Sequence, residues 1–228
     1  KSNSRQMFLY NIKNSKLCQL YINSHDITKI SQKNWMPYIY EDSLYFIHSI
    51  CELCILKLIS PNSGECEIIF GHPSKFTDNG LFGGSNLCHW RNNLYIGFIH
   101  SRNPHLCIPF LYDAKNYKYI STYTPIEFNL PFKINNKISC GTEEYPYYFR
   151  KISNKYELFL SYQVICSVKY EISTNDINTL FNNLLYFNQY ESIKIGPSQS
   201  NSIVIKNDYT EDLLFIHKYK DTFTPLKF

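Results

Sequence analysis

The chain has 228 residues, a net charge of +4 and 17% aromatic residues, with 20 Tyr and 16 Phe among them. Its 23 basic residues are scattered and never form a five-residue Lys/Arg run, which argues against a nucleic-acid surface. No apolar run reaches the roughly 18 residues that a membrane span needs. Ala114 is the single alanine, so strong helix formers are scarce, while Tyr, Phe and Ile favour strands. The class expected is all-β.

Taken in chain order, one pattern recurs: an aromatic-rich strand, a polar turn, then a strand of the form Leu-aromatic-Ile. A weak copy opens the chain, with Met7-Phe8-Leu9-Tyr10 turning at Lys13-Asn14-Ser15 into Leu17-Cys18-Gln19-Leu20-Tyr21. The second runs Pro37-Tyr38-Ile39-Tyr40, turns at Glu41-Asp42, and continues as Leu44-Tyr45-Phe46-Ile47-His48-Ser49. The third passes from Leu87-Cys88-His89-Trp90 through Asn92-Asn93 to Leu94-Tyr95-Ile96-Gly97-Phe98-Ile99-His100-Ser101. The fourth joins Tyr147-Tyr148-Phe149-Arg150, through Asn154, to Leu158-Phe159-Leu160-Ser161-Tyr162. The last joins Ile203-Val204-Ile205, through Asn207-Asp208, to Leu213-Leu214-Phe215-Ile216-His217. Between the fourth and fifth, Ile177, Leu180, Phe181 and Leu184 fall at helical spacing. They predict a short outer helix over 176–185, capped by Thr174 or Asn175 and bridging the fourth and fifth hairpins.

The anchors Leu17, Leu44, Leu94, Leu158 and Leu213 are spaced by 27, 50, 64 and 55 residues. Apart from the first interval, these suit four-stranded sheets repeated about an axis, since such repeats run about 40–50 residues. Additional strand pairs between hairpins, such as residues 54–58 with 66–70, fill out the sheets. The expectation is a single five-bladed β-propeller spanning 1–228, with a β-sandwich as the alternative. Phe46, Ile96, Phe159 and Phe215 are expected between adjacent sheets, with Leu213 beside Leu17.

The eight Cys mostly lie inside apolar runs and are expected to be reduced thiols packed as small hydrophobes, in a cytoplasmic setting. Cys51-Glu52-Leu53-Cys54 has no second CxxC and no His pair at finger spacing, so no metal is expected. Gly80-Leu81-Phe82-Gly83-Gly84-Ser85 lacks the Gly-Lys-Ser/Thr ending of a phosphate loop. Its glycines fit a close approach of backbone to a channel or a ligand.

In a propeller the polar residues that precede each hairpin converge near the axis. Asn3 and Arg5, Lys33, Asn34 and Trp35, Gly83, Gly84, Ser85 and Asn86, Glu143, Glu144 and Tyr145, and residues 198–201 hold those places. The set offers cations for an anion, an indole for a sugar face and a carboxylate for proton transfer. Equally, such residues cap strands and build turns. His48 and His217, at the ends of second strands, read as structural.

These residues resemble a known group. Lys33-Asn34-Trp35-Met36-Pro37, then Gly83-Gly84-Ser85 with the strand ending at His100, then Glu144-Tyr145-Pro146, are similar in order and spacing to blade starts of the five-bladed β-mannoside phosphorylases and hydrolases. Ser2-Asn3-Ser4-Arg5 stands where that group carries Glu-Asp-Pro-Arg. The resemblance covers residues 2–170 and implies a glycan-processing enzyme acting on a sugar or sugar phosphate: a phosphorylase, hydrolase or glycosyltransferase. Arg5, Lys33 and His100 would hold the anion, and Asn34, Trp35, Gly84, Ser85 and Tyr162 would contact substrate. No cofactor is implied, with phosphate as a co-substrate. Asn3 replaces the proton-donating Asp, and Cys166 replaces a second Asp that holds sugar hydroxyls. An amide cannot act as the general acid, which leaves Glu144 as the best remaining carboxylate. The alternative is a catalytically inactive propeller that binds a glycan or a protein partner. The resemblance also places one blade ahead of Lys1; either the hairpin near Leu213 closes the ring or a blade lies outside this chain.

Overall fold

The structure, a computed structural model, describes residues 6–12, 14–22, 34–73, 81–101, 106–121, 126, 144–162, 166–187 and 203–205. Within them the chain is β-rich with one helix, built of several antiparallel sheets, one of which curls as half a barrel. A closed five-sheet ring is not traced by the described residues.

Four of the five expected hairpins form. Strands β1 (Phe8–Asn11) and β2 (Lys16–Gln19) make the first, with Leu9 opposite Cys18 and Tyr10 opposite Leu17. After it, β3 (Tyr21–Ile22) runs parallel to the outer strand of the next sheet. That sheet is a meander of β4 (Met36–Tyr40), β5 (Ser43–Ser49), β6 (Cys54–Ser60) and β7 (Glu65–Phe70). Glu41 and Asp42 both take positive φ, 47° and 57°, as a tight two-residue hairpin turn requires.

The third sheet begins with an interrupted first strand, β8 (Leu81–Phe82) and β9 (Cys88–Arg91), both paired with β10 (Leu94–Ser101). It continues through β11 (Cys107–Asp113) to β12 (Lys118–Ser121). The fourth comprises β13 (Glu144–Ile152), β14 (Lys155–Tyr162) and β15 (Cys166–Ser173), followed by helix α1 (Thr174–Phe187) and edge strand β16 (Ile203–Ile205). The fifth hairpin, with Leu213, Phe215 and His217, lies outside the described residues.

Alternation of side chains explains why these sheets stack. On β10, Ile96 and Phe98 join a core with Phe149, Leu158 and Tyr170 of the fourth sheet. Tyr95 and Ile99, pointing the other way, join Met36, Tyr38 and Ile47 of the second. The second sheet turns Phe46, Cys54 and Leu56 toward Leu20 and Ile22, with Met7 and Leu9 of the hairpin alongside. The second and third sheets are therefore buried on both faces, and the four layers follow one another in chain order.

The fourth sheet differs on its far face. Glu157 is buried there between Arg150 at 2.6 Å and Lys169 at 3.2 Å, and Glu171 bridges Lys169 and Lys155. Burial alone would raise the Glu157 carboxyl, but hydrogen bonds from Arg150 and Lys169 outweigh it and hold the group below its usual range. Phe159 is buried on this charged face, against Tyr147 and Tyr148. The sheet expected to pack against it from the other side, with Phe215, lies outside the described residues. Ile96 and Phe46 occupy intersheet cores as expected.

Helix α1 starts two residues earlier than expected and ends two later. Its cap is Ser173, not Thr174 or Asn175: the Asp176 N–H donates to Ser173 Oγ at 3.1 Å, and the hydroxyl donates to the Asp176 carboxylate at 2.7 Å. Thr174 instead donates to the Asn154 carbonyl. Ile177, Leu180, Phe181 and Leu184 enter the core between the third and fourth sheets. Trp90 Nε1 donates to Asn178 Oδ1 and Arg91 to Asn182 Oδ1, each at 2.8 Å. The helix thus clamps the third sheet to the fourth; the expected bridge to the fifth hairpin lies outside the described residues.

Candidate functional site

The first strands of successive sheets meet at Gly83 and Gly84. A Cβ on Gly83 would overlap the Asn34 carbonyl oxygen, just ahead of β4. A Cβ on Gly84 would lie 2.8 Å from Pro146 Cγ and 2.9 Å from the Pro146 carbonyl oxygen, in β13. Adjacent glycines thus let three sheets come together at their starting ends, where a side chain would clash with neighbouring backbone. Of the polar residues that the sequence groups at strand beginnings, Asn34 lies against Gly83, and Gly84, which precedes Ser85, lies against Pro146 in β13, the strand that begins at Glu144.

Several of them are committed to structure. Ser85 is fully buried; its hydroxyl accepts the Phe98 N–H at 3.0 Å and donates to the Asn86 carbonyl at 2.8 Å. Asn34 adopts φ of 60°, a left-handed conformation that Asn tolerates well. Trp35 is only 4% exposed, with its ring 5.5 Å from Phe46 and 5.3 Å from His48. The expected sugar platform is therefore a core residue, because the hairpin folds over the indole. His100 is likewise buried, stacked on Phe82 at 5.6 Å and edge-on to Tyr145 at 5.2 Å.

His48 repeats the arrangement of His100 one sheet earlier, each ring beside the aromatic residue that precedes or forms its sheet's first strand. Burial drives the His48 pKa down, from an ordinary value near 6.5 to about 4, so the ring is neutral at pH 7. Burial also pushes the thiols of Cys54 and Cys66 up to about 12 and that of Cys88 to about 11, which makes them poor nucleophiles. Among the described residues, no group of three or more His, Cys, Asp or Glu could hold a metal ion. Nor is any described helix long and apolar enough to cross a membrane.

Glu144 and Tyr162 are paired across β13 and β14 at the same end of the fourth sheet. Asn3, Arg5, Lys33 and Glu143 lie outside the described residues, as do residues 198–201.

A residue underrated by the sequence is Asn86. Its Nδ2 donates to the Phe149 carbonyl at 2.8 Å, and its Oδ1 accepts the Phe149 N–H at 2.9 Å. The side-chain amide thus satisfies both backbone groups of a residue in the next sheet, beside the register shift of β13 between Pro146 and Tyr148. The buried pair Tyr38 and Tyr112, with hydroxyls 3.1 Å apart, links the second and third sheets similarly. No sequence signal marks either pairing, since both partners come from different sheets.

No protein-family model matches the chain, and no curated protein matches it either.

Proposed function

We propose that the chain is a propeller-type binding module that holds a carbohydrate or sugar phosphate where its sheets begin, without turning it over. In this reading the hairpin and three sheets are consecutive members of a five-bladed ring, and the segment around Leu213 supplies the fifth. The observation that carries the reading is the close approach at Gly83 and Gly84, with the Asn34 carbonyl against the first glycine and Pro146 of β13 against the second. Two-sided burial of the second and third sheets supports radial stacking. Arg5 and Lys33 contribute the charge for an anion, and the cytoplasm is the compartment that suits its buried thiols. Asn3 and Cys166, standing where the resembling enzymes carry Asp, support binding without catalysis.

Calorimetric titration with inorganic phosphate, mannose and mannose 1-phosphate tests this. Loss of a charge-assisted contact in Lys33→Ala or Arg5→Ala should weaken phosphate binding by about 1.5–3 kcal/mol. Unchanged affinity in both variants would remove the anion site.

One observation favours a second reading, glycan turnover: Glu144, the best remaining carboxylate of the sequence, begins β13, the strand whose Pro146 lies against Gly84. Incubation with phosphate and β-linked manno-oligosaccharides, and with nucleotide-sugar donors, separates the two. Sugar release or transfer that disappears in Glu144→Gln would replace binding by catalysis.

A further inference from the structure

The seam where helix α1 meets the end of β9 carries a cation that no described carboxylate answers. The Arg91 guanidinium lies 3.9 Å over the Trp90 ring and 5.9 Å from that of Tyr186, and its Nη2 donates to Asn182 Oδ1 at 2.8 Å. Trp90 is fixed in turn by its bond to Asn178 and its contact with Phe181. Ion pairs among the described residues join Arg150, Lys155 and Lys169 to Glu157 and Glu171, and Arg91 takes no part in them. A guanidinium held by two rings and an amide loses little freedom on meeting an anion. Beside it Tyr186 is 68% exposed, one turn beyond Asn182 and Asn183, which flank it on the helix surface. The helix places Asn, a poor helix former, at four of its 14 positions. Asn178 and Asn182 hold Trp90 and Arg91, whereas no described side chain bonds the half-buried Asn183 amide.

We propose that this seam binds an acidic saccharide: Arg91 pairs the carboxylate of a uronic acid, Tyr186 stacks on a pyranose face, and the Asn183 amide takes a hydroxyl. The planar guanidinium matches the two oxygens of a carboxylate, and the charge it brings is the complement of an anion. The ring and amides beside it suit a ligand that is apolar on its faces and hydroxylated at its rim. An acidic peptide fits less well, because a protein anchor needs a desolvated pocket, and the neighbours of Tyr186 on the outer helix surface are amides. A nucleic acid draws its affinity from many neutralised phosphates, and this seam offers one guanidinium. The site is separate from the anion site proposed at the sheet starts and does not depend on it.

The test titrates the full chain with trigalacturonate and with a hyaluronan hexasaccharide, read by calorimetry and tryptophan fluorescence. Trp90 reports directly, since it touches Arg91, while Trp35 is buried in the core. At least one of the two saccharides should bind, and Arg91→Gln should weaken it by about tenfold or more. Tyr186→Ala, which removes an exposed ring, should weaken it by about threefold or more. This second variant decides alone if thermal unfolding shows that Arg91→Gln loosens the helix. Binding of neither saccharide overturns the proposal, and so does equal binding by wild type and Tyr186→Ala. Galactotriose binding as tightly as trigalacturonate overturns it, because no carboxylate is then read. Hexaglutamate binding more tightly than both saccharides overturns it in favour of an acidic protein surface. Lys33→Ala keeps the two sites apart. Saccharide affinity lost there and kept in Arg91→Gln assigns the ligand to the sheet starts and overturns this site. Saccharide affinity kept in Lys33→Ala and lost in Arg91→Gln and Tyr186→Ala supports it, whether or not phosphate and mannose bind at the sheet starts.

Discussion

Replacement of His48 by Phe tests whether the second sheet and the hairpin bury a neutral imidazole. In the folded chain the ring is desolvated beside Trp35 and its pKa falls to about 4, whereas in the unfolded chain it stays near 6.5. Between these values the unfolded state binds a proton that the folded state refuses. Stability is therefore full above pH 6.5 and is lost as pH falls toward 4. Moving from pH 7.5 to pH 5.0 removes about 2 kcal/mol through this group, of about 3 kcal/mol for the whole window. Urea unfolding at the two pH values, followed by tryptophan fluorescence, measures the loss. His48→Phe should reduce it by about 2 kcal/mol, because Phe keeps the ring contact and takes up no proton. Equal losses in wild type and variant would mean that His48 is solvated or paired in the folded state, and would refute its burial in that core.

The junction of the sheets gives three further expectations. Gly84→Ala should destabilise by about 1–3 kcal/mol in urea unfolding, since a methyl cannot fit against Pro146 and Phe98 without moving a sheet. Asn86→Asp should cost about 1–3 kcal/mol at pH 7 by removing the donor to the Phe149 carbonyl and facing it with a charge, whereas a loss below about 0.3 kcal/mol would discard the clamp. Phe149→Ala, which empties a site between Phe98 and Tyr156, should cost about 3–5 kcal/mol, and Phe159→Ala less, because Tyr147 and Tyr148 are partly exposed and can collapse over the gap. Thermal or urea unfolding of the two Phe variants side by side settles their order.

The repeated hairpins were legible because each is specified locally. Glu41-Asp42 and Asn92-Asn93 are polar turn pairs between aromatic strands, and neighbouring residues suffice to encode that geometry. The helix was legible from Ile177, Leu180, Phe181 and Leu184, but its partner was not, because an apolar face does not name the surface that will receive it. The same limit explains Trp35. At the head of a strand an indole suits both a ligand platform and a core, and only the hairpin folding back over Phe46 decides between them. Glycines 83 and 84 announced a close approach without saying to what, and the answer is two neighbouring strands. The alternation of Lys155 with Glu157 and of Lys169 with Glu171 did carry a signal that the fourth sheet has a charged face, which the emphasis on its aromatic residues concealed.

The Asn86 clamp has a consequence for how the chain is made. Strands within each meander are close in sequence, so a sheet can assemble while the next is still being translated. Asn86 and Phe149 are 63 residues apart, and Trp90 and Asn178 are 88 apart. A nascent third sheet therefore waits on the ribosome with Ile96, Phe98 and the Asn86 amide uncovered until the fourth sheet and its helix emerge. During that interval it is the part of the molecule that a chaperone would find.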